Sequence, residues 1–246
     1  MIAMEPRPKF RLGEFLLAFA LGLMVLHGER SSFGADATWE SALAAMPLPA
    51  GVTRLDRTNC VHLFLNAFQS NGVVKALIFM PGATDEFYMF HRARAELNKD
   101  SPTLLDAVIA LTNQTLIRAT FRAPFLLLHS DEDPLEPLAQ VQDERTAAKI
   151  RKAKFKPHVV YEDQDWDSLQ FGLQRTYGLW FYPRARDTSS WHFYRHSFAG
   201  WKLSGWEGLE AISLAGKTSF IVERGKVVFE GDQRVMAEPK LDAFPR

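Results

Sequence analysis

Residues 73–82, VVKALIFMPG, form an apolar run that only Lys75 interrupts and that the turn residues Pro81 and Gly82 end. A run of this length between turn residues is typical of a β-strand buried on both faces. A second apolar run, residues 125–128 (FLLL), ends before the acidic turn that begins at Asp131. Strands buried on both faces occur mainly in parallel sheets. The two runs therefore predict buried strands of one largely parallel sheet.

Helical segments alternate with the predicted strands, which include a third strand at residues 157–161 and an edge strand at residues 116–121. The predicted helices begin near Asn59, Asp85, Ser101, Glu136, Asp165 and Ser204. Such alternation implies crossover connections between parallel strands. Arg224-Gly225 joins two alternating segments as a hairpin turn. We therefore predict an α/β fold with a mostly parallel central sheet, helices on both faces and a C-terminal β-hairpin at the edge of that sheet.

The first 37 residues predict an exported protein. Three basic residues, at positions 7, 9 and 11, precede the apolar run of residues 15–26, and Ala35-Asp36-Ala37 fits a signal-peptidase site. A helix over the apolar run is about 18 Å long, shorter than the roughly 30 Å core of a bilayer. We expect residues 1–37 to be a cleaved signal peptide of a periplasmic or secreted protein. An uncleaved N-terminal membrane anchor is the alternative.

Composition limits the classes of function. The chain carries 29 basic and 29 acidic residues, and this neutrality argues against a nucleic-acid partner, since such binding depends on neutralising phosphates. Cys60 is the only cysteine, so no intramolecular disulfide can form. An apolar content of 47% with 19 phenylalanines is enough for a packed core. We expect residues 38–246 to be a single α/β domain with an aromatic-rich extension at about 177–206.

Residues 125–134, FLLLHSDEDP, resemble the end of a core strand in the α/β-hydrolase family, where the next loop holds the acid of the catalytic triad. The resemblance implies that Asp133 orients a histidine base. The carboxyl ends of strands are also where open α/β sheets bind ligands, which keeps His129 in consideration. The Gly-x-Ser-x-Gly motif of that family does not occur in the sequence. The catalytic candidates are His129, Asp133, His192 and His196.

A metal site is a further hypothesis. His192 and His196 are four residues apart, and on a helix this spacing places both imidazoles on one face, as a two-histidine metal pair requires. His129 and Asp131 are the remaining candidate ligands, and together the four side chains suit zinc or another divalent metal. A protein without a cofactor is the stronger expectation. The alternative role of both histidines is as hydrogen-bonded members of an aromatic cluster.

That cluster occupies residues 180–206, where nine aromatic side chains are interleaved with arginines. Aromatic rings beside arginines can stack on sugars or hold anionic groups, and they can also pack an irregular segment onto a sheet. We expect the segment to be a structured cover on the sheet, because long segments with few regular hydrogen bonds need such anchors. The candidate ligand-binding residues are Trp191, Tyr194, Arg195 and Trp201.

Residues 218–231, TSFIVERGKVVFEG, resemble the closing hairpin of thioredoxin-like domains. The resemblance implies that residues 73–82 are the central strand of that family. The loop after this strand contains no Cys-x-x-Cys motif, and Cys60 precedes the strand. The redox chemistry usual in that family is therefore excluded.

The leading functional hypothesis is an exported envelope or periplasmic binding or accessory protein. Its expected cleft lies between residues 81–86, residues 129–133 and the aromatic segment, and its expected partner is a small molecule, a glycan or an envelope protein. Membrane contact is expected only through an uncleaved N-terminal segment. The first alternative is a metal-assisted or α/β-hydrolase-like hydrolytic enzyme. The second is a redox-inactive thioredoxin-like domain.

Overall fold

The computed structural model describes residues 38–56, 58–70, 72–80, 93–129, 139–184 and 196–231. The helices in these residues are α1 (Trp39–Ala44), α2 (Cys60–Ala67), α3 (Leu104–Gln114), α4 (Glu144–Lys152), α5 (Trp166–Tyr177) and α6 (Gly205–Ala215). The strands are β1 (Arg54–Leu55), β2 (Ala76–Phe79), β3 (Ala95–Glu96), β4 (Arg118–Arg122), β5 (Phe125–His129), β6 (Ala139–Val141), β7 (His158–Gln164), β8 (Trp180–Pro183), β9 (His196–Trp201), β10 (Thr218–Glu223) and β11 (Lys226–Gly231).

The larger sheet has five strands in the order β4-β5-β2-β9-β7. Only β2 and β5 pair in parallel, and the other three pairs are antiparallel. The predicted mostly parallel central sheet is therefore wrong, and the fold is a mixed α/β arrangement. The main reason is β9, which returns between β2 and β7 from within the segment interpreted as an aromatic cover. In the same sheet, β4 is an edge strand, as its alternating sequence predicted.

The C-terminal hairpin lies in a different sheet. β10 and β11 pair antiparallel across the turn at Gly225, whose φ of +72° suits glycine. β6 pairs in parallel with β10, and β8 pairs in parallel with β11, so the order is β6-β10-β11-β8. The hairpin is thus the centre of a four-stranded sheet, and its predicted place at the edge of the main sheet is wrong. The hairpin that resembles the closing hairpin of thioredoxin-like domains is therefore in a different sheet from β2.

Two short strands lie where the sequence predicted helix. Residues 95–96 form β3, paired with β1, where the sequence predicted the end of a helix from Asp85. Residues 139–141 form β6, and α4 begins only at Glu144, because the Asp143 side chain caps it by accepting a hydrogen bond from the Thr146 backbone N–H. In both places, residues with a composition typical of helices form a short strand.

Buried side chains cover both faces of the five-stranded sheet. On one face, Leu77 and Leu126 pack with helices α1 to α3. On the other face, Ile78 and Leu127 pack with helices α4 to α6 and with the inner face of the four-stranded sheet. The second core layer includes Phe181, Phe198, Phe220 and Phe229, all at 0% exposure. The four-stranded sheet therefore helps to cover one face of the main sheet, where the sequence predicted only helices.

None of the helices in the described ranges combines the length and the apolar composition needed to cross a bilayer.

Cys60 begins α2 and is buried with Phe64 and Leu65 in the core, as its apolar helix face predicted. Burial, with a smaller effect from the negative charge of Asp56, raises the pKa of the Cys60 thiol to about 12. We expect the native protein to resist alkylation by iodoacetamide, because only the thiolate reacts. Mass spectrometry should detect labelling after unfolding in urea. Rapid labelling of the folded protein would contradict this prediction.

Helix α6 is fixed to the main sheet by a polar contact at its start. Ser204 and Glu207 form the predicted capping box, and Glu207 also accepts a hydrogen bond from Lys75 Nζ at 2.7 Å, just before β2. Burial alone would raise the pKa of Glu207, but the hydrogen bonds from Lys75 and Ser204 outweigh it and hold the pKa below its ordinary value of 4.5.

We expect this contact to make stability depend on pH. Because the pKa of Glu207 is lowered in the folded state, its stabilising effect is present above the ordinary carboxyl pKa and is lost as pH falls through the lowered value. Urea unfolding of wild type and Glu207→Gln should give free energies that converge as pH falls below the ordinary carboxyl pKa. Glu144→Gln is the control, and we expect it to change the free energy of unfolding little because the Glu144 side chain is 72% exposed. A constant gap between wild type and Glu207→Gln would refute the assignment.

Candidate functional site

Three strand ends meet at one edge of the five-stranded sheet. Phe79 is opposite Leu128 in the parallel pair β2–β5, and opposite Ser197 in the antiparallel pair β2–β9. One residue further along, His129 and His196 therefore lie on either side of Met80. With strands spaced about 4.8 Å apart, the two histidine Cα atoms are about 10 Å apart. The fold thus brings two of the predicted site residues to one edge from distant parts of the sequence.

His129 is directed towards the outer strand of the sheet. Its side chain is 1% exposed, and Nε2 is 2.8 Å from the Thr120 hydroxyl on β4. Strand β4 lies on the side of β5 away from β2 and His196. This hydrogen bond therefore holds the His129 imidazole away from the second histidine.

His196 is packed against the end of helix α6. It is 0% exposed, and a Cβ built on Gly216 would lie 2.4 Å from its Nε2 atom. Its Nδ1 atom is 3.4 Å from the Gln164 carbonyl oxygen, and the centre of its ring is 6.1 Å from that of Trp166. Glycine at position 216 is therefore what allows this imidazole to fit between strand and helix.

Both histidines are buried in the described structure. A general base must reach the proton that it removes, whereas both imidazoles are buried and Met80 separates them. In the ranges that the structure describes, no group of three or more His, Cys, Asp or Glu side chains could hold a metal ion. Asp131, Asp133 and His192 lie outside those ranges, so the predicted triad and metal set stay predictions.

Sequence reasoning missed one buried charged residue at this edge. Lys217 follows Gly216, has a φ of +48° and is only 4% exposed. Two neighbouring hydroxyl residues, Ser213 and Thr218, are buried beside it and bond to each other's backbone carbonyls. A lysine after a helix-ending glycine resembles an exposed turn residue, so the sequence contained no signal for its burial. The edge is therefore more polar than the sequence indicated.

Trp201 is a packing residue among the predicted ligand-binding residues. Its ring centre is 4.4 Å from that of His158 on β7, and its Nε1 atom donates a hydrogen bond to the Phe68 carbonyl oxygen at 3.3 Å. These contacts join β9 to β7 and to Phe68 at the end of α2. The other three ligand-binding candidates, Trp191, Tyr194 and Arg195, lie outside the described residues.

Two other aromatic residues of this segment face solvent. Trp180 and Tyr182 alternate along β8 with the buried Phe181, so both point to the outer face of the four-stranded sheet. They are 60% and 43% exposed, and their ring centres are 6.3 Å apart with the planes only 23° from parallel. We call the surface formed by Trp180, Tyr182, Arg184, Glu223, Lys226 and Glu230 the aromatic face.

Charged residues surround the two rings. By the strand register, Lys226 lies beside Trp180, and Val228 lies beside Tyr182. The Arg184 guanidinium pairs with Glu230 and also approaches Glu223 at 3.7 Å. Lys226 pairs with Glu223 at 2.7 Å. The aromatic face thus combines exposed rings with ion-paired polar groups.

The chain matches no protein-family model, and it has no match among curated proteins or solved structures. A proposal for its function therefore depends on the geometry of the described residues.

Proposed function

We propose that the chain is a non-catalytic binding protein of the cell envelope and that its ligand binds to the aromatic face. The main support for this proposal is the exposure of the Trp180 and Tyr182 side chains to solvent. Tryptophan is highly buried on average in proteins, and most of the large rings that the structure describes are buried in the core. Two adjacent exposed rings on one sheet face are therefore an exception that a ligand would explain.

The chemistry of these rings also supports binding. Tryptophan and tyrosine provide large contact areas with few rotatable bonds, and each carries one polar atom that can hydrogen-bond to a ligand. Both are attached to a strand of a sheet whose other face is packed into the core. A rigid support of this kind reduces the entropy lost on binding.

The buried histidines favour binding over hydrolysis as the function. His129 and His196 are 1% and 0% exposed, so neither imidazole presents a nitrogen to a substrate on the surface of the described residues. The proposal of an exported location depends on residues 1–37, whose basic start, short apolar run and Ala-Asp-Ala site fit a secretory signal.

Cosedimentation with an insoluble bacterial envelope fraction tests the proposal. We expect the full chain to sediment with the fraction and Trp180→Ala/Tyr182→Ala to stay in the supernatant, because the double variant removes both exposed rings. Phe171→Ala is the matched control, since Phe171 is 64% exposed but lies on α5. Equal sedimentation of the wild type and the double variant would exclude the aromatic face, and no sedimentation of the wild type would exclude envelope binding.

A further inference from the structure

We infer that the ligand of the aromatic face is a neutral saccharide, an assignment that rests on the proposed function and specifies its ligand. The first observation is the arrangement of the two rings, which are nearly parallel, on one strand and open to solvent. The C–H face of a sugar ring is apolar and flat, so it stacks on an aromatic face while its hydroxyl groups remain at the rim. Trp180 is the more exposed ring at 60%, and Tyr182 stacks beside it along β8, so we assign the first sugar contact to Trp180.

The second observation is the balance of charge. The aromatic face carries two positive and two negative side chains, and each of them is within ion-pair distance of an opposite charge. A charged ligand would meet no net field and would have to compete with these ion pairs. A neutral ligand leaves the pairs intact. Its hydroxyl groups can donate to the oxygens of Glu223 and Glu230, and they can accept from the N–H groups of Arg184 and Lys226.

The third observation separates a saccharide from a protein partner. Arg184 on β8 reaches Glu223 on β10, so its side chain crosses β11 between them. The apolar residues at the centre, Ile221 and Val228, are only 4% and 6% exposed. Among the described residues of this sheet face, the exposed apolar area is therefore limited to the two rings. A whole aromatic side chain provides about 150–250 Å², whereas a stable protein interface needs roughly 800 Å² from each partner and has few charged residues in its core.

Binding of defined oligosaccharides to the purified full chain tests the assignment. Cellohexaose and a hexamer of N-acetylglucosamine are the neutral probes, and a galacturonic acid hexamer is the acidic probe. We expect at least one neutral hexamer to quench tryptophan fluorescence saturably and to bind about tenfold or more weakly to Trp180→Ala. Trp180→Phe, which keeps an aromatic ring, should retain most of the affinity. Phe171→Ala should bind like wild type.

The outcomes distinguish this inference from the proposed function. Sedimentation with the envelope fraction through Trp180 and Tyr182, without binding of either neutral hexamer, would overturn the saccharide assignment and leave the aromatic face as the binding surface. Tighter binding of the acidic hexamer than of both neutral ones would also overturn it, because the charge argument would fail. Equal binding of a neutral hexamer by wild type and Trp180→Ala would remove the rings from the site. Circular dichroism of each variant separates loss of binding from loss of folding.

Discussion

Replacing Phe229 with alanine is expected to lower the free energy of unfolding by about 3 to 5 kcal/mol. The Phe229 side chain is 0% exposed. Its ring centre lies 4.9 Å from that of Trp166 on α5 and 5.9 Å from that of Phe220 on β10. Removing it would leave a cavity between the four-stranded sheet and helix α5, and rigid strands on one side limit how far the surroundings can collapse into it.

Urea unfolding followed by circular dichroism measures this effect. Phe171→Ala is the control because it removes the same side chain from an exposed position on α5, and we expect a change within about 0.5 kcal/mol there. Similar losses in the two variants would show that Phe229 is not a core residue. A loss near zero for Phe229→Ala would contradict the packing of the four-stranded sheet against the helices.

Gly205→Ala is the second substitution with a large expected effect, a loss of about 3 kcal/mol. Gly205 is the first residue of α6 and lies against the end of α4. A Cβ at this position would lie 2.2 Å from the Ile150 carbonyl oxygen and 2.9 Å from the Tyr177 ring. The nearest atom belongs to the backbone and cannot turn aside as a flexible side chain would. Either α6 or α4 must move, and both helices contribute to the same core.

Gly172→Ala is the control, and we expect it to increase stability where Gly205→Ala decreases it. Gly172 is inside α5, and no heavy atom lies within 4 Å of the Cβ that it would gain. Alanine in a helix interior is more stable than glycine by about 0.5 to 1 kcal/mol, so this variant should unfold at a higher urea concentration than wild type. If Gly205→Ala were as stable as wild type, the close approach at Gly205 would be wrong.

Local signals predicted local structure well. Residues 76–79 and 125–129 are buried strands, the capping box of Ser204 and Glu207 begins α6, and Arg224-Gly225 turns a hairpin. Each depends on contacts within a few residues, which the sequence displays directly. The arrangement of strands depends on partners far away in the chain. β9 contains a serine and a glycine, so its sequence did not show that it pairs with both β2 and β7.

The candidate site was predictable to a similar degree. For an enzyme, we expect His129 or Asp133 to lie close to His192 or His196. His196 lies across Met80 from His129, and the catalytic role of these residues stays a prediction. Trp180 and Tyr182 belonged to the predicted aromatic segment, but they were not among its ligand-binding candidates. Alternation places two such residues on one face of a strand, whereas which face packs inward depends on the sheet that the strand joins.

The position of β9 has a consequence for folding kinetics. β2 is the middle strand of its sheet, yet one of its two neighbours is supplied by residues 196–201, more than a hundred positions later in the chain. During synthesis, the backbone N–H and C=O groups of β2 that pair with β9 have no partner strand until β9 has left the ribosome. Contacts of such long sequence separation slow folding, because a large loop must close before they form. The chain therefore stays in an incompletely folded state until its last third has been made, because the main sheet lacks one of its inner strands until then.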